Sequence, residues 1–454
     1  MISLPNPLSQ AAIARPQHPA LVVVDGPTLC WAELRAEVAG RAAALARRGV
    51  ASGQVHALLG EPSAAFIANL WALSWLGAVP APLPWRAPKA ELDRALSALN
   101  PAGLWVDPAH PEAARGGWPD PEEAQSEAVD WPLDAPRLIV LSSGTTGPPR
   151  PVPLSAAQLA FSAFGSAMRL GHDPADRWLC PLPLHHVGGL SILLRTSWAA
   201  TTTMLMPRFD AARASALLDE VQLASLVPSM LADILDARRD RPFAPTLRAI
   251  LIGGAQTPPG LVDRCRAIGA PVALSWGMSE TGSQVATRFP GDLSPGGHVG
   301  PPLPFARVSP GASGALSIEG PVAPRGRFLT RDLGRIDPQG RVVVSGRAED
   351  LILSGGENID PAEVEAALCE HPAVREAAVV GRPDPRWGER PVAFVVLDAP
   401  IDAAALTAHC RTQLASFKVP DQFVVIERLP RGELGKLSRA ALRDQAQRAQ
   451  GVQE

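Results

Sequence analysis

The sequence predicts an α/β protein: a large N-terminal domain of mostly parallel sheets covered by helices, with a small β-subdomain, followed by a small α+β C-terminal domain. Three observations predict this. Short apolar runs alternate with helical segments along most of the chain, the pattern of parallel strands joined by crossover helices. Between 296 and 345 the alternation gives way to short strands with glycine turns, as in Gly314-Ala-Leu-Ser-Ile-Glu-Gly. From 347 onward a separate α+β pattern begins. The 454 residues exceed one ordinary core, and the expected domains are 1–346 and 347–454.

Residues 28–50 read as one helix, with Leu34, Val38 and Leu45 on a shared face and Gly49 as its stop. A strand at 55–59 leads to a helix at 64–76, where Phe66, Leu70, Leu73 and Leu76 recur at helical spacing. That helix is shorter than a membrane span and is interrupted by Asn69 and Ser74. Residues 101–134, rich in Pro, Ala, Asp and Glu, suggest a surface excursion. After a strand at 138–141 come helices at 155–170, 189–199, 211–219, 230–237 and 259–268. Interleaved with them are strands at 178–180, 201–206, 223–227, 247–252 and 272–274. The tail predicts helices at 361–369 and 402–415, strands at 377–380, 392–397 and 423–426, and a polar helix from about 438.

Bulk properties narrow the function. A net charge of −3 with Lys and Arg spread along the chain gives no nucleic-acid footprint. Cys30, Cys180, Cys265, Cys369 and Cys410 lie far apart without a Cys-x-x-Cys, which disfavours a disulfide framework or zinc site and suits a reducing, cytoplasmic setting. The N-terminus lacks a basic segment followed by an apolar run, so no secretory signal is expected. A homo-oligomer is compatible with the sequence.

Three polar or glycine loops follow predicted strands: Ser142-Ser143-Gly144-Thr145-Thr146-Gly147, Gly253-Gly254-Ala255, and Trp276 to Thr281. Hydroxyls and bare N–H groups suit a polyanion, and glycine lets the main chain approach it closely. Such loops are also ordinary turns, and no Gly-Lys-Ser/Thr marks a P-loop. In an open parallel sheet, however, strand carboxyl ends converge on one ligand crevice.

With Pro183-Leu-His-His-Val-Gly-Gly-Leu190, Val227-Pro-Ser-Met-Leu231, Thr330-Arg-Asp332, Gly346-Arg347-Ala-Glu-Asp350, Ser354-Gly-Gly-Glu-Asn-Ile359 and Gly435-Lys436 in order, the chain resembles the adenylate-forming superfamily over nearly its whole length. The superfamily comprises acyl-CoA synthetases, peptide-synthetase adenylation domains and firefly luciferase. The resemblance implies a two-step reaction: a carboxylate attacks the α-phosphate of MgATP, and a thiol, usually that of coenzyme A, then displaces AMP. It implies a phosphate grip at 142–147 with Arg150, a magnesium ligand in Glu280, and an α-phosphate contact from Ser279. Gly253, Gly254, Ala255, Trp276 and Gly277 would line the adenine. Asp332 would accept from the ribose hydroxyls, and Arg347 would lie near ribose or phosphate. Lys436 would stabilise the adenylation transition state. A small-domain rotation about Glu349 would bring Ser354, Gly355, Gly356 and Glu357 toward a pantetheine tunnel.

Several residues depart from the family pattern. Trp276 replaces the usual tyrosine in a chain with no tyrosine, Ser279 a threonine, Arg331 a glycine, and Glu349 an Asp or Lys. Pro149-Arg150-Pro151 replaces Pro-Lys-Gly, which implies altered ATP affinity. Within the superfamily the resemblance is to o-succinylbenzoate–CoA ligases of menaquinone biosynthesis. Their substrate carries a second carboxylate besides the one activated, so Arg195 is the candidate cation for it. His186 would border the acyl pocket, and Ser283 and Gln284 would hydrogen-bond the acid. Other readings are a different aryl- or acyl-CoA synthetase, an adenylation enzyme loading a carrier protein, and a non-catalytic nucleotide-binding relative.

Overall fold

The computed structural model describes residues 2–123, 126–142, 149–311, 313–432, 435 and 437–450. Its largest sheet has eight strands in the order Ser283–Thr287, Val272–Met278, Ala249–Ile252, Leu223–Leu226, Arg177–Cys180, Thr202–Leu205, Pro19–Val23 and Thr28–Cys30. The inner pairs are parallel and both edge pairs antiparallel. Inner strands such as Ala249–Ile252 are apolar and buried along their length, as expected of strands covered on both faces. From Arg177–Cys180 the chain passes to Thr202–Leu205 on one side and returns to Leu223–Leu226 on the other. The strand order therefore reverses beside Arg177–Cys180, which is where open α/β sheets place ligands. The loops leaving this edge are 181–186, 227–229 and 253–255.

A three-stranded parallel sheet joins Val79–Pro82, Val55–Leu59 and Gly103–Val106. A four-stranded antiparallel sheet runs Arg307–Pro310, Ala315–Glu319, Arg327–Ile336 and Val342–Arg347. The tail forms a five-stranded sheet with helices Pro361–Cys369, Ala403–Gln413 and Arg439–Gln450. Its own apolar cluster centres on Ile352, Val364, Leu368, Val379 and Val395. No helix of the described residues is long and apolar enough to cross a membrane. The five cysteines are free, and burial pushes the Cys180 thiol up to about 12, far from a reactive thiolate.

Four sequence expectations are corrected. Residues 28–30 are a strand paired with Pro19–Val23, and the helix is Trp31–Arg47. It starts there because Cys30 and Glu33 form a capping box. The 101–134 stretch is not a surface excursion throughout. Gly103–Val106 is a sheet strand, and Trp131 is 1% exposed, stacked on Trp71 with ring centroids 6.2 Å apart. Its polar composition hid the few aromatic anchors that fasten it. The Ser142 loop does not end a parallel strand, because Pro136–Ser142 and Arg150–Ser155 pair antiparallel as a hairpin. Trp276 lies within a strand rather than in the loop after it, since Val272–Met278 extends to pair with Ser283–Thr287.

Candidate active site

Strand Val272–Met278 ends in a tight turn, Ser279–Thr281, that carries Glu280. The Thr281 hydroxyl, fully buried, accepts from the Met278 N–H at 3.3 Å and faces the Met278 and Ser283 carbonyls at 3.1 Å each. The register shifts between Trp276 and Gly277, and a side chain at Gly277 would collide with the Ser283 carbonyl. Glycine is therefore required where the two strands cross most closely. Glu280 meets the hairpin: Arg150 Nη2 donates to its Oε1 at 2.5 Å, and the Ser142 hydroxyl donates to the Arg150 carbonyl at 3.3 Å.

One residue of this assembly escaped the sequence reading. Gln158, 5% exposed, caps helix Ala156–Leu170 by accepting from the Ser155 N–H at 3.1 Å. Its amide nitrogen donates to the Glu280 carbonyl at 2.7 Å. The signal was present as Ser155-Ala-Ala-Gln158, a capping box whose second member has a donor to spare.

Trp276, 7% exposed, donates its indole N–H to Asp332 Oδ2 at 2.7 Å. Arg347, facing Asp332 across the antiparallel sheet, donates to Oδ1 at 3.1 Å. Burial alone lowers the Arg347 guanidinium, and Asp332 and Glu349 beside it more than reverse this, leaving it above its ordinary value. Arg347 also donates to Glu349 at 2.9 Å, and Arg331 does so at 3.0 Å. Two departures from the family pattern, Arg331 and Glu349, are thus one ion pair. Asp350, next in the chain, accepts from Arg443 of the last helix at 2.9 Å.

Gly253 and Gly254 follow strand Ala249–Ile252. Gly254 has φ +83°, a conformation that favours glycine, and lies against Val227. Gly435 of the tail packs against the same segment: a side chain there would collide with the Ser229 hydroxyl. The residue before Lys436 therefore sits beside the loops at the carboxyl edge of the main sheet. Lys436 itself, with Ser143, Gly144, Thr145, Thr146 and Gly147, lies outside the described residues.

His186 occupies the position just before helix Val187–Ala199, in the loop after Arg177–Cys180, its ring 4.2 Å from that of His185. Gly189 in the first turn packs on the Pro183 carbonyl, where a side chain would not fit. Further along, Arg195 is 5% exposed and donates Nη2 to the Ser283 hydroxyl at 3.0 Å. Its guanidinium lies 5.2 Å from the Trp178 ring. Nε and Nη1 have no hydrogen-bond partner, and no carboxylate pairs with the group among the described residues. Burial pushes it down to about 9, so it is still a cation at neutral pH. Ser283 holds φ +132°, a strained conformation for a residue with a side chain. Buried Gln284 donates to Thr287 at 2.8 Å and leaves Oε1 without a donor.

The structure thus pairs Arg150 with Glu280, joins Trp276, Asp332, Arg347 and Glu349 in a second hydrogen-bonded set, and holds Arg195 with Ser283 in a third. Ser354, Gly355, Gly356 and Glu357 stand apart from all three. They form the turn of a hairpin, with Gly355 and Gly356 at φ +60° and +87°, and the Ser354 hydroxyl accepts from Arg390 at 3.2 Å.

Known proteins share this architecture. The AMP-binding enzyme family matches residues 8–309, and the AMP-binding enzyme C-terminal domain matches 363–436. The 2-succinylbenzoate–CoA ligase of Bacillus licheniformis is 35% identical, over 96% of this chain and 99% of that protein. The o-succinylbenzoate CoA synthetase of Bacillus subtilis, in complex with the acyl-adenylate intermediate OSB-AMP, superposes with a TM-score of 0.88 at 33% identity, covering 98% of this chain and 99% of that one. Its complex with ATP and magnesium ion gives the same score, over 97% of this chain and 100% of that one. A double mutant of it bound with the product analogue OSB-NCoA scores 0.72 over 98% and 99%. At equal sequence identity, the present arrangement is closer to the adenylate- and ATP-bound forms than to that product-analogue complex. With both family regions matched in order and similarity sustained from end to end, the chain belongs to the AMP-binding, adenylate-forming enzyme family.

Proposed function

We propose that the protein is an AMP-forming o-succinylbenzoate–CoA ligase of menaquinone biosynthesis, which makes the acyl-adenylate from MgATP and then the coenzyme A thioester. The observation that carries the choice of acid is Arg195. A buried guanidinium with two nitrogens unpartnered and, among the described residues, no acid beside it is costly to keep. A substrate with a second carboxylate supplies the missing anion, with Ser283 and Gln284 as flanking polar groups. A fatty-acid enzyme has no use for a cation there.

In this reading the hydroxyls of 142–147 and Arg150 grip the β- and γ-phosphates, and Glu280 offers a hard oxygen to magnesium. That oxygen is paired with a cation already, so the position suits positive charge. Ser279 touches the α-phosphate. Gly253 to Ala255 and the face of Trp276 with Gly277 hold adenine, and Asp332 and Arg347 hold the ribose. His186 borders the reacting carboxylate. The domains divide at 346/347 with Glu349 as hinge, and rotation carries Ser354 to Glu357 toward the pantetheine arm. All three substrates are water-soluble anions, which suits a cytoplasmic reaction.

The test is ATP–pyrophosphate exchange across a panel of carboxylic acids, repeated with coenzyme A and with a carrier protein. The proposal expects exchange highest with o-succinylbenzoate and thioester on free coenzyme A. Preference for a monocarboxylate, or transfer only to the carrier protein, would overturn it.

Gln158 yields a narrower prediction. Gln158→Glu keeps the helix cap, because Glu serves at that position of a capping box. It removes the donor shared by the Glu280 and Val322 carbonyls and sets acceptor against acceptor at both. The expected result is a lowered Tm, because two buried acceptors lose their donor, together with a magnesium requirement raised about fivefold to tenfold, about 1–1.4 kcal/mol for the bond to Glu280. Magnesium titrations of the exchange rate measure it.

A further inference from the structure

We infer that Trp276 is a positioning residue for Asp332, and that its indole N–H sets how strictly the enzyme demands an intact ribose. The inference rests on the proposed contact between Asp332 and the ribose hydroxyls.

An ionised carboxylate has about four acceptor sites on two oxygens. At Asp332 the protein fills one on each. Trp276 Nε1 donates to Oδ2 at 2.7 Å and Arg347 Nε donates to Oδ1 at 3.1 Å. Donors on both oxygens fix the plane of the carboxylate, so the remaining acceptor directions are set before any ligand arrives. The backbone is fixed as well: the Thr330 hydroxyl accepts from the Asp332 N–H at 3.1 Å and donates to its carbonyl at 3.2 Å.

The two donors differ in how firmly they are held. Arg347 is half exposed and divides its nitrogens between Asp332 and Glu349. Trp276 is buried in a cluster with Val285, Leu316 and Ile318, whose packing restrains the ring more than Arg347 is restrained. The bulge between Trp276 and Gly277 sets the angle at which the ring leaves the strand. An indole donates from its edge, in the ring plane, so the N–H bond and a contact on the ring face do not compete. One side chain therefore offers a flat apolar face and, at right angles to it, a donor that orients a carboxylate.

A site built to hydrogen-bond a hydroxyl rejects the analogue that lacks it, because its polar groups are then left unpaired. If Trp276 aligns Asp332, losing the indole N–H weakens that rejection. If the ring acts only through its face, all nucleotides suffer equally.

The experiment measures kcat/KM in pyrophosphate exchange for ATP, 2′-deoxyATP and 3′-deoxyATP. Trp276→Phe keeps an aromatic face and loses the donor. Replacement by 3-benzothienylalanine puts sulfur in place of the N–H at constant shape, which guards against misfolding of the phenylalanine variant. The expected result is a wild-type preference for ATP over at least one deoxy analogue, reduced about fivefold to tenfold in both variants, with ATP losing most. In an Asp332→Asn background the same replacements leave the ratio unchanged, as a shared pathway requires. An equal loss for all three nucleotides overturns the inference while leaving the ribose contact intact. A wild-type enzyme that accepts both deoxy analogues as well as ATP overturns the ribose reading itself, and the inference with it.

Discussion

Arg195→Leu is expected to reduce kcat/KM for o-succinylbenzoate by about 150- to 5,000-fold while leaving KM for ATP nearly unchanged. Breaking one side of a buried charge pair costs about 3–5 kcal/mol, because the other charge is left uncompensated. In the proposed complex that charge is the second carboxylate of the bound acid. The same change is expected to raise the Tm of the free protein. Without ligand, Arg195 is a buried cation held by one serine hydroxyl and the Trp178 ring, and replacing it with an apolar side chain removes its desolvation cost. Activity and stability therefore move in opposite directions, which a structural arginine does not produce. A second readout is selectivity: the wild type should prefer o-succinylbenzoate over an analogue lacking the second carboxylate, and Arg195→Leu should lose that preference. If the variant keeps full activity and selectivity toward the dicarboxylate, Arg195 does not bind it.

The sequence disclosed more of the site's membership than of its wiring. Apolar runs such as 223–227 and 247–252 mark buried parallel strands because both faces are covered, so each becomes a continuous hydrophobic word. The loops after them follow directly, and with them Gly253, Gly254 and Glu280. Strand pairing is non-local, and a local pattern does not encode it. Pro136–Ser142 reads as one more parallel strand until its antiparallel partner Arg150–Ser155 is seen. Residues 28–30 carry no strand pattern strong enough to separate them from the helix that follows, and only pairing with Pro19–Val23 does so. Contacts across the chain were equally hidden. Arg331 and Glu349 each looked like an isolated departure, and the sheet that carries Asp332 makes them partners at 3.0 Å. Trp276 looked like a tyrosine that had lost its phenol, whereas its N–H holds Asp332. Side chains whose roles depend on one long-range neighbour are the ones that a linear reading misses.

Lys436→Ala is expected to lower acyl-adenylate formation by about 1,000-fold, with thioester formation from pre-made o-succinylbenzoyl-adenylate reduced less than about fivefold. Attack of a carboxylate on the α-phosphate brings two anions together. A fixed cation at that point is worth more in the transition state than in the ground state, and losing one preorganised electrostatic partner typically costs about 100- to 1,000-fold. The residue before Lys436 already marks the location. Gly435 packs against the Ser229 hydroxyl and Val227, beside Gly254. Arg431, itself paired with Glu376, donates to the Gly435 carbonyl at 2.9 Å and steadies that approach. Once the adenylate exists the developing charge is different: a thiolate attacks a carbonyl and AMP leaves, and the proposed domain rotation has withdrawn the lysine. The two half-reactions separate cleanly in the assay, as pyrophosphate exchange for the first and single-turnover transfer to coenzyme A for the second. Equal losses in both would mean that Lys436 serves the fold or the shared acyl pocket rather than one chemical step. Gly435→Ala gives the matching structural test, because a methyl there meets the Ser229 hydroxyl and strains a backbone at φ +67°, perturbing the approach without touching the charge. It should slow adenylation in the same direction, and Lys436→Ala added to it should cost less than it does alone, as expected of two changes acting through one interaction.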